Sequence, residues 1–253
     1  MPQTLNVTES RGVATIVLNR PERSNAIDQR MLDELVQEFS VRGSDETTRV
    51  IVLRGAGKHF CGGADLAGRR SEPTDSAPHA TLVEVLAALD RLPKPTIAVV
   101  HGAAVGGGAG FAACCDIVLA VDTAFFSIPE VRVGMAPLGV APFLARAMGL
   151  RSFRRYGLTG ERIPAAEALR IGLAHEVASA EKIDERMGEI VDALLHGAPG
   201  ALRTLKNDMD RYAAPSVAAI SSVHRTHDAM QSEEAREGIA SFKEKRKPRW
   251  YPQ

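Results

Sequence analysis

Glu130 is the residue with the most evident chemical potential in this chain. It follows Pro129 inside Ala124–Val133, a stretch that is otherwise apolar apart from Ser127 and Arg132. A carboxylate in apolar surroundings has a raised pKa, which suits proton transfer near neutral pH. The competing reading is a loop glutamate paired with Arg132 or with solvent. Upstream lie two glycine-bearing loops, "FCGGADL" (Phe60 to Leu66) and "VGGGAG" (Val105 to Gly110). Glycine is the costliest residue to order, so such runs suggest a need for bare backbone. The second loop leads into a predicted helix, whose first amides have no internal partner. Two free amides converging on one oxygen stabilise charge developing on a carbonyl, as in an enolate. A side chain there would occupy the space of the reacting group.

Other chemistries are absent from the pattern. The chain has no phosphate-binding P-loop, no H-E-x-x-H, no G-x-S-x-G and no EF-hand loop. His224 and His227 lie three apart and read as surface polar residues rather than a metal site. Gly108, Gly110 and Ala113 spell G-x-G-x-x-A, with Glu130 twenty residues beyond, the form of a dinucleotide fingerprint. Its context is wrong, because "HGAAV" reads as a connection between the preceding strand and the glycines. Three cysteines, Cys61, Cys114 and Cys115, make no disulfide framework and fit a reducing cytosol.

Lys and Arg number 31, as do Asp and Glu, so no basic excess points to nucleic acid. A local basic cluster, Lys243, Lys245, Arg246, Lys247 and Arg249, is either a solvated helix end or a phosphate-binding tail. Pro95 to Cys115 carries no charge and is long enough to span a bilayer, but a β-branched run, a histidine and clustered glycines break it up. No membrane span is expected. "MPQTLNVTES" lacks the basic and apolar regions of a signal peptide, and the expected location is cytoplasmic.

The elements that must position these residues follow from periodicity. "TLNVTES" and "GVATIVLN" alternate as hairpin strands. Asp28 is placed to cap a helix with Met31, Leu32, Leu35 and Phe39 on one face. "RVIVLRG", "TIAVV", "DIVLAV" and "AFFSI" read as strands, "ATLVEVLAALDRL" and "GAGFAACC" as helices, and residues 71 to 79 as a mobile surface loop. This is α/β layering with mostly parallel strands. After Pro137 everything to about Lys245 reads as helical, save a short "LAHEV".

Five segments occur here in an order that resembles the crotonase family, the enoyl-CoA hydratase/isomerase superfamily: "LNRPERSNAID", "GAGKHFCGGADL", "HGAAVGGGAGFAACCDIVLA", "FSIPEVRVGMAP" and "LTGERIPAAEALRIGLAHEV". The similarity runs from about Leu5 to Lys247. It implies a β-β-α spiral core over residues 1–195 and a helical C-terminal portion over 196–253 that serves trimerisation and the CoA pocket. The implied assembly is a homotrimer or homohexamer. The implied ligand is an acyl-CoA thioester, with CoA as part of the substrate and no covalently bound cofactor. The resemblance makes Ala64 and Gly107 the amides that hold the thioester oxygen and Glu130 the catalytic carboxylate. It places Lys58, Phe60, Gly62, Ala64, Asp65 and Leu66 on the CoA-binding chain, with Gly106, Gly107 and Pro129 beside them. Phe242 and Lys245 would complete the CoA pocket, often that of a neighbouring subunit.

Two-glutamate hydratases of the family carry their first acid where this chain has Gly110. Gly110 is then expected to leave room where a second acid would stand. Isomerases of the superfamily also work with one carboxylate at the Glu130 position. "EVRVGMAPLGVAPFLARAMGLRSFRRYGLTGERI" resembles a bacterial branch called hydratases, methylglutaconyl-CoA-type enzymes included, that shares this glycine, and Arg132 could meet an acid-bearing substrate there. The expectation is a 2-enoyl-CoA hydratase. The alternatives are a Δ3,Δ2-enoyl-CoA isomerase, a non-catalytic acyl-CoA binder and, from the glycine pattern alone, a dinucleotide binder.

Overall fold

The computed structural model describes residues 4–66, 79–212 and 232–252. The loop expected at 71 to 79 lies outside them save for His79, as do His224 and His227. The chain opens with an antiparallel hairpin, β1 (Leu5–Ser10) and β2 (Val13–Leu18), turned by Arg11 and Gly12 at positive φ. Helix α1 (Gln29–Ser44) begins where Asp28 accepts a hydrogen bond from the Met31 amide at 2.9 Å. Its buried face is Met31, Leu32, Leu35 and Phe39.

Strand β3 (Val50–Gly55) lies parallel to β2. Helix α2 (Leu82–Asp90) starts at a capping box in which Thr81 and Glu84 bond each other's amides. It stops two residues short of Pro93. Then come β4 (Thr96–Val100), β5 (Ala103–Val105), α3 (Gly107–Cys114), β6 (Ile117–Val121) and β7 (Phe125–Ser127). A 3-10 turn over Glu130–Val133 leads to α4 (Ala141–Thr159), kinked at Gly149 and ended by Gly160, both at positive φ. The rest is β8 (Arg162–Pro164), α5 (Ala165–Arg170), β9 (Glu176–Ala178), α6 (Ile183–His196), α7 (Pro199–Tyr212) and α8 (Glu233–Lys243).

The main sheet has the order β1-β2-β3-β4-β6-β9, all parallel beyond the first hairpin. Its central strand β4 is buried along its whole length, as expected of a parallel sheet covered on both faces. Two expectations need correction. "HGAAV" is not a mere connection, because β5 runs through it up to Val105 and pairs with β7. The segment after Pro137 contains a second strand besides "LAHEV", since β8 pairs antiparallel with β7. Together these form a second sheet, β5-β7-β8. Each of its strands is three residues long, too short to show a period of two. The dinucleotide reading falls with them: the glycines do follow a strand, but one in a small mixed sheet rather than in a doubly wound parallel sheet. The uncharged run from Pro95 to Cys115 is divided among β4, β5 and α3. Among the described residues no helix is long and apolar enough to cross a membrane.

Candidate active site

The two glycine loops meet through backbone pairing. The Cys61 amide donates to Ala103 O at 3.0 Å, and the Val105 amide donates to Cys61 O at 2.9 Å. The glycines are what permit this approach. A Cβ on Gly63, whose φ is +89°, would lie 2.9 Å from Val105 O, and one on Gly108 would lie 2.6 Å from Cys61 O.

A third segment braces the first loop. The Ile27 amide donates to Gly63 O at 2.7 Å, and the Asp65 amide donates to Ile27 O at 2.9 Å. Ala64 is thus held on both sides while its own amide finds no acceptor among the described residues. The Gly107 amide, first in α3, is equally free among them. Both are available to a ligand oxygen. Arg20 tightens the brace: its Nη2 donates to Asp65 Oδ2 at 2.9 Å and reaches Asp28 Oδ2 at 3.2 Å. Asn25, buried with φ +55°, donates from its Nδ2 to Ala56 O at 2.8 Å and His59 O at 2.7 Å. Sequence reasoning gave Arg20 and Asn25 no role. They sit in a loop without periodicity, and the one local signal is the tolerance of asparagine for positive φ.

Glu130 comes up against Gly106, at the start of α3. Gly106, the N-cap of α3, has φ +52°, and a Cβ there would lie 2.7 Å from Glu130 Oε1. Glu130 Oε2 is buried and has no hydrogen-bond partner among the described residues. Burial pushes this carboxyl above the usual glutamate range, opposed in part by a hydrogen bond from its own backbone. The pairing with Arg132 does not form. Arg132 instead donates from Nε and Nη2 to Thr159 O, each at 3.2 Å.

A cavity of about 310 Å³ joins these groups, with Ala64, Gly107 and Glu130 all on its wall. Gly62, Leu66, Gly106 and Pro129 line it as well. The remaining sequence candidates lie elsewhere. Phe60 is a core side chain with its amide bonded to His101 O, and the Asp65 carboxylate is turned to Arg20. Lys58 is not on the lining, nor is Phe242, 85% exposed on α8, nor Lys245 just beyond it. The basic cluster is also partly spent. Arg246 bonds Glu237 at 2.6 Å and Arg249 reaches it at 3.3 Å, so these two are ion-paired rather than open to phosphate.

The expectation that Gly110 leaves room is overturned. A Cβ there would lie 2.8 Å from Val140 Cγ1 and 3.2 Å from Leu86 Cδ2. A larger cavity, about 600 Å³, lies at the far end of α3 beside Cys114 and Asp116. There Lys206 pairs with Asp116 at 2.6 Å and Arg146 with Asp90, and burial raises both the Cys114 and Cys115 thiols. The free amides and the unpaired carboxylate belong to the smaller cavity.

Residues 8–253 match the family model described as enoyl-CoA hydratase/isomerase. The chain is 34% identical to the carnitinyl-CoA dehydratase of Proteus mirabilis (strain HI4320), over 99% of both chains. It is 36% identical to the enoyl-CoA hydratase ACTT6 of Alternaria alternata, over 84% of this chain and 66% of that one, a little under two thirds of the relative's length. Among solved structures it is similar to an enoyl-CoA hydratase from Shewanella pealeana, with TM-score 0.89, 33% identity and coverage of 98% and 96%. It is likewise similar to Pseudomonas aeruginosa AtuE, with TM-score 0.89, 32% identity and coverage of 98% and 99%.

Proposed function

The chain belongs to the enoyl-CoA hydratase/isomerase family, and from that premise we propose that it is an enoyl-CoA hydratase with a single acid–base residue. The observation that carries the proposal is a half-buried carboxylate, Glu130, whose Oε2 is buried with no partner among the described residues, lining the same cavity as Ala64 and Gly107, whose backbone amides have no partner among them either. Relatives named as hydratases and a dehydratase support it.

The thioester carbonyl of a 2-enoyl-CoA accepts from both amides. That polarises the conjugated double bond and makes the β-carbon electrophilic. Glu130 takes a proton from water as the oxygen bonds to the β-carbon, and negative charge moves onto the thioester oxygen as an enolate. When the enolate collapses, the carboxylic acid returns a proton to the α-carbon. The sum is addition of one water with Glu130 regenerated. A raised pKa serves both halves, since it makes the carboxylate a stronger base in the first and keeps the acid available in the second. The amides act more strongly on the enolate than on the neutral carbonyl, which is where the rate gain arises.

A second reading draws on Gly110 with Val140 packed against it, which leaves no second acid. Glu130 alone could move a proton between two carbons of a 3-enoyl-CoA. Mass spectrometry separates the two. The purified chain is incubated with a short 2-enoyl-CoA and a 3-enoyl-CoA, beside Glu130→Gln. A gain of one water that needs Glu130 supports the hydratase. A shifted double bond at unchanged mass, with no hydration of the 2-enoyl substrate, makes it an isomerase. Thioester binding without turnover of either makes it a carrier or sensor.

A further inference from the structure

At the start of α3 two glycines lie one turn apart, Gly106 at the N-cap and Gly110 in the helix, linked by the Gly110 amide to Gly106 O bond of 3.0 Å. The space a side chain would need at each is already filled, and by different chemistry. At Gly106 it holds Glu130 Oε1, 2.7 Å from a Cβ position. At Gly110 it holds Val140 Cγ1, at 2.8 Å, backed by Leu86 Cδ2 at 3.2 Å and Cδ1 at 3.5 Å. Val140 is 2% exposed, yet it lines the same cavity as Glu130. It is also fixed in place. Its amide donates to Pro137 O at 3.2 Å, it is the N-cap residue of α4, and a β-branched side chain has little freedom at χ1.

We infer that Val140 is a specificity-determining residue that commits this site to one carboxylate, by occupying from α4 the volume that a second acid on α3 would need. The inference deepens the hydratase/isomerase reading and rests on Glu130 as the acid–base. Glycine at 110 is therefore not an open position awaiting an acid. It is the partner of an apolar plug, and the two positions are energetically coupled across thirty residues of chain. The plug also makes that side of the cavity apolar, so a water there would find no hydrogen-bonding group on either Val140 or Leu86. Proton traffic is confined to Glu130.

Glycine inside a helix costs stability relative to alanine, which gives the test a sign. Thermal unfolding of the wild type, Gly110→Ala, Val140→Ala and the double variant is measured. Gly110→Ala is expected to lower Tm in the wild-type background and to raise it in the Val140→Ala background. A rise in both overturns the inference, because it means that Val140 does not hold that space. The functional arm uses Gly110→Glu with and without Val140→Gly, glycine being tolerated at a helix N-cap. Gly110→Glu alone is expected to add no hydration. The pair is expected to raise the ratio of hydration to double-bond migration at least tenfold over Val140→Gly alone. An equal gain from Gly110→Glu by itself overturns the inference, and the alanine pair decides it should the glutamate variant not fold. A wild type that converts no enoyl thioester refutes the hydratase/isomerase reading instead, which the alanine pair tests separately.

Discussion

Two glutamates show how differently this fold treats the same side chain. Glu237 on α8 accepts from Arg246 Nη1 at 2.6 Å and Nη2 at 3.1 Å, from the Arg249 amide at 2.9 Å, and has the Arg249 side chain 3.3 Å away. Hydrogen bonds from Arg246 are the largest stabilising influence on its charge and bring its pKa down to about 2, against the opposing effect of burial. Glu130 has one carboxylate oxygen buried with no partner among the described residues, and its pKa moves up. One carboxylate is arranged to keep its charge at any physiological pH. The other is held, by burial, where its neutral form is favoured more than in an ordinary glutamate. Full satisfaction is what a structural carboxylate needs, whereas incomplete satisfaction beside two free amides is what the proposed acid–base role of Glu130 needs.

The sharpest way to break this contrast is amide substitution at both positions. Glu130→Gln is expected to lower kcat by ~10²–10⁴-fold, the usual worth of general acid–base catalysis, while Glu237→Gln lowers Tm and leaves kcat close to wild type. Steady-state kinetics and thermal unfolding of the two variants check this, and equal kinetic losses would erase the distinction. Gly106→Ala comes next. Its Cβ would sit 2.7 Å from Glu130 Oε1 at a φ of +52°, so the carboxylate must shift. Displacement of a catalytic group by this sort of distance costs about 10²-fold in kcat, with KM for the thioester little changed.

The smallest effects are in the pH dependence of stability, and they have opposite signs. Glu237 titrates near ~4.3 when unfolded and at about 2 when folded. Its contribution is therefore present above the unfolded value and is lost as pH falls towards 2. Glu130 is raised on folding, so its folded state is favoured below the unfolded value, and that advantage disappears as pH rises through the folded pKa. Glu130→Gln should then be more stable than wild type at neutral pH, with the gap closing in acid. Glu237→Gln should be less stable at neutral pH, its gap also closing in acid. Tm measured from pH 3 to 8 reads both. In the wild type, kcat should fall on the acid side with a midpoint above the ordinary glutamate range.

Much of this was legible in the residues. The stripe Met31, Leu32, Leu35 and Phe39, the Asp28 cap, and the strands β3, β4 and β6 follow from period and punctuation. Such signals are local: a cap is satisfied within three residues, and a stripe repeats within one turn. Glu130 stood out because a charge in apolar surroundings is itself a sequence feature. The three-residue strands β5 and β8 were not legible, since their identity lies in the partner β7 rather than in any pattern of their own. The ion pairs of Arg246 and Arg249 were equally hidden, because a basic cluster reads the same whether solvated or paired.

The sequence by itself determined the longer elements, the family resemblance and the acid–base candidate. Only the tertiary structure decided that, among the described residues, Glu130 Oε2 and the Ala64 and Gly107 amides have no partner, and that Val140 fills the space before Gly110. The physical reason is range. Propensity and periodicity act over a few residues, whereas a hydrogen bond left unmade or a methyl group 2.8 Å from a Cβ position is set by segments tens of residues apart, brought together by packing.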